Sequence, residues 1–388
     1  AVIIGNYAGD DNSPTNAVII GYRAGRVING ENTVAVGYDA LKAATESDNT
    51  AVGAYALQAL VDGTNNTALG IAAGYRIDKG DDSTFLGWYA GYNATGSRNT
   101  FVGSEAGKGG TSSAPYSSGQ NNTAVGYLAL SEFTTLSGAV AVGWEAVRRA
   151  TTATAPLGVG NRALHYLTTG TYNTAVGNQA MENTVDGVRN TAVGYQAGGY
   201  FLNDYSTAVG FNAGKTASGS HNTFVGNEAG LGGGGTSAPH SSGEYNVAVG
   251  SEALKAFTTA DENTALGYNS SLNITAGSDN TSVGATSLYR NQIGEDNVAV
   301  GYRAGYNVSA SFNTFVGSNA GFGLNTSPYS SGQNNVAVGY NALDAFTTAG
   351  DVVAIGSSAG TNITTGGYHV LIGSGAGQSL TGGNYTTH

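Results

Sequence analysis

The sequence predicts an all-β chain wound as a parallel β-solenoid. Three observations carry this reading: a glycine recurring at a nearly fixed spacing, a short apolar strand signature before it, and a small residue shortly after it. The stretch NTAVGYQAG, Asn190 to Gly198, states the unit once. Counted on Gly194, the glycine occurs 22 times from Gly5 to Gly373, and 18 of the 21 intervals are 16 or 17 residues. A fixed period is the mark of a repeat architecture, in which each unit is stable only when stacked on its neighbours. The glycine frequency and the lack of a sustained 3.6-residue pattern exclude a helical repeat.

The columns of the repeat give the strand. The residue before the glycine is Val, Ile or Leu in all 22 copies. Three before the glycine stands Thr in 12 copies and Val in nine, so this site selects a β-branched shape rather than a hydroxyl. These two positions share one strand face, and the residue between them points to the other. That middle residue is Ala in 13 copies and Phe at Phe85, Phe101, Phe224 and Phe315. Asn stands four before the glycine in 13 copies, where it predicts a turn-closing side chain or a stacked Asn ladder. At about 4.8 Å per coil, 22 coils predict a single rod over 1–388 on the order of 105 Å long. The chain begins inside a copy, at Ala1-Val2-Ile3-Ile4-Gly5, which predicts a segment of a longer protein.

The regular apolar columns also set aside disorder, which the composition alone would allow. Of 388 residues 62 are Gly and 11% are charged, and there is no Cys to form a disulfide framework. The net charge of −11, with 15 Lys and Arg that form no cluster, argues against nucleic-acid binding. No apolar run reaches the length of a membrane span, so membrane insertion is not expected.

Three longer loops interrupt the period, at 107–122, 230–246 and 321–335, each following a copy that reads NTFVG. Their tips carry Pro115 and Tyr116, Pro239 and His240, and Pro328 and Tyr329, which are the candidate surface contacts. Each loop is followed by a Phe-Thr-Thr arc, at Phe133, Phe257 and Phe346, so the loops mark larger modules.

A coil this narrow has room for one strand face inside. The other face would then run as an apolar stripe, larger than a soluble monomer usually leaves exposed. The expected arrangement places the aliphatic column inside and the Ala/Phe column against sister chains. Ala51, Phe85, Phe101, Ala175, Ala192, Phe224 and Phe315 are then the candidate inter-chain packing residues. Tyr or Trp often follows the glycine, as at Tyr22, Trp88 and Tyr195, and offers packing between coils or subunits, or stacking on carbohydrate.

The copies NTAVGYQAG, NTFVGNEAG and NVAVGYRAG resemble two related groups. One is the head repeat of YadA-type trimeric autotransporter adhesins. The other, nearer in wording and period, is the repeat of phage tail fibres and of fibre proteins that end in a self-cleaving intramolecular chaperone. The resemblance implies a left-handed β-roll, a homotrimer, and a place outside the cell or on a virion. The period is longer than in the adhesin heads, and no coiled-coil stalk, membrane anchor or chaperone domain stands in these 388 residues.

Chemistry finds little purchase. The stretch GLGGGGT at 230–236 lacks the Lys-Ser/Thr ending of a phosphate loop, and the five His have no metal-ligand spacing. Neither an enzyme nor a cofactor is expected. Ice binding is disfavoured because the regular Thr column exchanges with Val. The expected function is a structural fibre shaft of a phage tail fibre or similar appendage, displaying loops to a cell-surface glycan or protein receptor. The alternatives are a bacterial adhesin or matrix filament, and a carbohydrate-binding module.

Overall fold

The computed structural model describes residues 1–10, 14–110, 116–233, 240–325, 329–385 and 387. Among them are 22 strands of three residues each and no helix. The chain divides into two compact units, Ala1–Asn190 and Thr191–His388. Within each unit every strand pairs in parallel with the next strand of the sequence. The register is strict: Thr67 faces Thr84 and Ala68 faces Phe85 in the first unit, and Thr207 faces Thr223 and Ala208 faces Phe224 in the second. Both units are therefore parallel β-solenoids, as the period predicts.

The glycine column follows from how closely the coils stack. Gly194 has φ of +136°, outside the range that L side chains readily take. A Cβ there would lie 2.3 Å from the carbonyl oxygen of Gly210, its counterpart in the next coil. Any side chain would force those coils apart, so the column stays glycine.

The interior is lined by the small residues. Ala192 and Ala208 are fully buried, as are Ala197 and Ala213, which stand three after the glycine. This overturns the expected assignment of faces. Ala51, Phe85, Phe101, Ala175, Ala192, Phe224 and Phe315 are all fully buried inside their own coils and cannot pack against another chain. The Thr/Val and aliphatic columns face outward instead. The cause is volume: beside its small residues the bore takes about one large side chain, from the strand or from a position after the glycine.

The giving position is four after the glycine. Where the strand carries Ala, that position holds Leu in five copies, as at Leu41, Leu57 and Leu130, then Val147, Met181 or Ser271 in three, and Gly in five, as at Gly198 beside the buried Phe201. Where the strand carries Phe it is always Gly: Gly91, Gly107, Gly230 and Gly321. A Cβ on Gly230 would stand 2.1 Å from the ring of Phe224, and one on Gly321 equally close to Phe315. The rings also stack up the bore. Phe101 meets Phe133 with ring centroids 5.8 Å apart, Phe224 meets Phe257 at 5.5 Å, and Phe315 meets Phe346 at 5.7 Å. So each Phe-Thr-Thr arc supplies the ring that fills the coil after a long loop.

The Asn column forms a ladder. Asn263 Oδ1 accepts the backbone N–H of Asn280 at 3.1 Å, and Asn263 Nδ2 donates to the Gly277 carbonyl at 3.0 Å. Asn280 repeats both bonds one coil later, to Asn297 and Gly294. The same pair appears in the first unit between Asn49, Asn66 and Gly63. Each buried amide thus satisfies polar backbone groups of the coil above, which a buried turn must do. Replacing Asn263 by Ala strands those groups without solvent. It is expected to cost about 1–3 kcal/mol, read as a lower denaturation midpoint at unchanged slope. An unchanged midpoint would show that the ladder carries no stability.

Candidate interaction surface

The outward faces are where contacts are possible. Along the strands the aliphatic column is half-exposed: Leu86 at 42%, Val193 at 37% and Leu266 at 46%. Beside it stand the aromatics that follow the glycine. Five in each unit are more than two-fifths exposed: Tyr22, Tyr38, Trp88, Tyr127 and Trp144 in the first, and Tyr195, Phe211, Tyr268, Tyr302 and Tyr340 in the second. Register stacks neighbours on one another, Tyr22 on Tyr38 at 5.4 Å and Tyr195 on Phe211 at 5.3 Å. An aromatic side chain carries roughly 150–250 Å², so five half-exposed rings present about 500 Å² per unit before the aliphatic residues are added. That already reaches the largest patch a typical monomer shows.

The described residues that close the long loops are held against the wall. Pro115, Pro239 and Pro328 lie outside the described residues. Tyr116, His240 and Tyr329 are described, and each lies half-buried against the solenoid wall two coils earlier. Arg76 donates to the Tyr116 hydroxyl at 2.8 Å and lies 5.1 Å from the ring centroid. Arg290 makes the same hydrogen bond to Tyr329, with its guanidinium 5.1 Å from that ring. In the middle module both partners change: Tyr200 packs on His240 with ring centroids 4.1 Å apart. Each loop then rejoins its coil through a serine. Ser117, Ser241 and Ser330 donate to the carbonyls of Phe133, Phe257 and Phe346 at 2.6, 2.7 and 2.6 Å. Tyr116, His240 and Tyr329 with these serines therefore form one anchored ridge per module, where the repeat pattern suggests a projecting loop.

A charged network occupies one side of the first unit. Arg148 bonds Glu145 at 2.6 Å and Glu132 at 3.1 Å, and Arg162 bonds Glu182 at 2.8 Å. His165 is 3% exposed, with Nδ1 3.6 Å from a Glu145 carboxylate oxygen. Burial pushes the His165 imidazole below its ordinary value, opposed by Glu145 and reinforced by Arg162 and Arg148. Burial raises the Glu182 carboxyl, opposed chiefly by Arg162. Among the described residues no group of three His, Asp or Glu could hold a metal ion, and no helix is long and apolar enough to cross a membrane.

No protein-family model matches the chain, and no curated protein matches it as a relative.

Two outcomes follow from this surface. Arg76→Ala removes the clamp on Tyr116, and the Ser117 and Ser118 amides are expected to exchange hydrogen about tenfold faster. An unchanged rate would mean that Arg76 does not hold the loop. The His165 shift predicts acid sensitivity with a definite sign. Between the ordinary imidazole range near 6.5 and the lower folded value, the unfolded chain binds a proton that the folded chain does not, so stability falls as pH falls. Glu182 acts oppositely: with its folded value raised, it lowers stability as pH rises from the ordinary carboxylate range through that value. His165→Gln leaves the Glu182 contribution in place. The variant should therefore lose less melting temperature than the parent between pH 7.5 and 5.5. Equal losses would contradict the burial argument.

Proposed function

We propose that this chain is a structural shaft segment of a fibre, of the kind found in phage tail fibres and similar surface appendages, assembled from identical copies. The observation that supports the reading is the outward apolar and aromatic stripe repeated on the coils of both units. Sheets covered on one face leave polar residues on the other. Here, beside a mixed Thr/Val column, the outer face keeps Val, Ile or Leu before every glycine and Tyr, Trp or Phe after ten of them, as a face covered by a partner would. A second copy carries the same stripe, and closed rotational symmetry buries like against like. Three copies is the number that the resemblance to fibre and adhesin repeats implies. The site of action is then outside the cell or on a virion.

In this reading the role is mechanical: stacked coils give length and stiffness, and the anchored ridges present fixed contact points to a host or surface. Attachment through the ridges would involve Tyr116, His240 and Tyr329 together with the loop residues beyond them. A bacterial adhesin or matrix filament would use the same shaft, and the sequences flanking it would separate the two.

Light scattering on the intact chain tests the assembly. The expected mass is a multiple of 38.9 kDa, with three copies as the leading value. Replacing Val193, Val209 and Val225 together by Glu should reduce the mass to that of one chain while the β-sheet circular dichroism persists. A parent chain that is monomeric at micromolar concentration would sink the proposal.

A further inference from the structure

The first unit carries a groove beside the stripe and the anchored Tyr116. One end is an open cleft of about 260 Å³ lined by Tyr55, Ile71, Ala72, Tyr75, Tyr89 and Tyr92. Tyr75 stacks on Tyr92 at 4.8 Å and 4°, and Tyr89 on Tyr92 at 4.6 Å and 14°. Tyr55 stands at 78° to Tyr75, so the cleft has two aromatic walls at nearly a right angle. Arg76, itself tied to Tyr116, lies 5.0 Å from the Tyr75 ring centroid and fixes that wall. The walls are rigid before any ligand arrives.

The other end is a polar cleft of about 250 Å³. Its lining includes Asn93, Glu105, Lys108, Ser131, Glu132 and Arg148. Its charges neutralise one another: Lys108 pairs with Glu105 at 2.7 Å and Arg148 with Glu132 at 3.1 Å. Two polar atoms do not. Asn93 Oδ1 and Ser131 Oγ are buried and have no hydrogen-bond partner, on residues 5% and 4% exposed. The other two modules differ here. The counterparts of Asn93 are Thr216, which donates to the Leu231 carbonyl, and Asn307, which donates to Asn325. The two clefts share a border, since Asn93 follows Tyr92 in the chain and Lys108 lies 6.0 Å from the Tyr89 ring. Together they span six coils, about 24 Å along the stack.

We propose that this groove binds a neutral oligosaccharide. Aromatic walls pack against the C–H faces of sugar rings. The unpartnered amide oxygen and hydroxyl supply what sugar hydroxyls require. Cancelled charge selects against an ionic ligand. A groove running along the coils, rather than a closed pocket, fits a chain of sugar units rather than a single one. The site lies within one chain and stands whether or not copies assemble.

The test titrates the intact chain with neutral hexose and N-acetylhexosamine oligosaccharides of two to six units, following tyrosine and tryptophan fluorescence beside calorimetry. Longer oligomers are expected to bind more tightly than the disaccharide. Tyr92→Ala and Asn93→Ala should each weaken binding at least tenfold, and Ser131→Ala several-fold. Tyr268→Ala, on the second unit's stripe, should leave it unchanged. Melting curves identify any variant that fails to fold, and the milder Ser131→Ala keeps the question open to decision if Asn93→Ala does. The proposal is overturned if no oligosaccharide binds. It is also overturned if binding survives Tyr92→Ala, Asn93→Ala and Ser131→Ala alike, or if a charged saccharide or a peptide binds and the neutral oligomers do not.

Discussion

The width of the bore governs this protein. A coil of 16 or 17 residues closes around small residues and about one large side chain, which different copies supply from different positions. Phe224 supplies it from the strand above the bare Gly230, Leu57 from four after the glycine beside Ala51, and Phe201 from seven after it beside Ala192 and Gly198. Because the middle residue of each strand points into that narrow space, its two neighbours are turned outward. Leu86, Val193 and Leu266 are on the surface by alternation with the buried Phe85, Ala192 and Ala265, and the exposed stripe is the consequence. The constraint inside the coil therefore sets what the surface outside it presents.

Stacking adds a second requirement, that each coil present polar groups to the next. The Asn ladder meets it with two bonds per amide, and at Ser83 and Ser206 a serine hydroxyl takes part instead. Ser83 takes the place between Asn66 and Asn99: its amide donates to Asn66 Oδ1 and its hydroxyl accepts from the Asn99 amide. His369 occupies the same column and is fully buried, with neither ring nitrogen hydrogen-bonded. The ladder fixes the strand register, and the register places like side chains above one another. The aromatic stacks, the Phe rings in the bore and the groove all inherit their spacing from it.

Much of this was legible in the residues. Period, strand position and parallel register follow from columns that recur 22 times, and the Asn ladder from one that recurs 13 times. The inversion of faces does not follow from alternation alone, which says that Ala192 and Val193 point opposite ways but not which way is in. The usual preference for burying the bulkier aliphatic residue points to the wrong answer, because it ignores the bore. A signal was present all the same: each of the four Phe residues is matched by Gly six residues later, at Gly91, Gly107, Gly230 and Gly321. Such matching means that the two positions share one space. The anchoring of the loops left a fainter trace. Arg76 with Tyr116 and Arg290 with Tyr329 become Tyr200 with His240, a joint exchange across about 40 residues that only a loop folded back on the wall explains. The groove left none, since it depends on Tyr55, Tyr92, Asn93 and Ser131 meeting along successive coils.

The claim that Phe224 and Gly230 share the interior of one coil is tested most directly by a double-mutant cycle on the intact chain. Phe224→Ala alone opens a cavity costing roughly 3–5 kcal/mol, and Gly230→Leu alone overpacks the bore by about 1–3 kcal/mol or more. Combined, they recreate the pairing found at Ala51 and Leu57. The volume argument predicts a double variant more stable than either single one. Strictly additive losses would mean that the ring of Phe224 lies somewhere other than against Gly230, and the assignment of faces would fail with it.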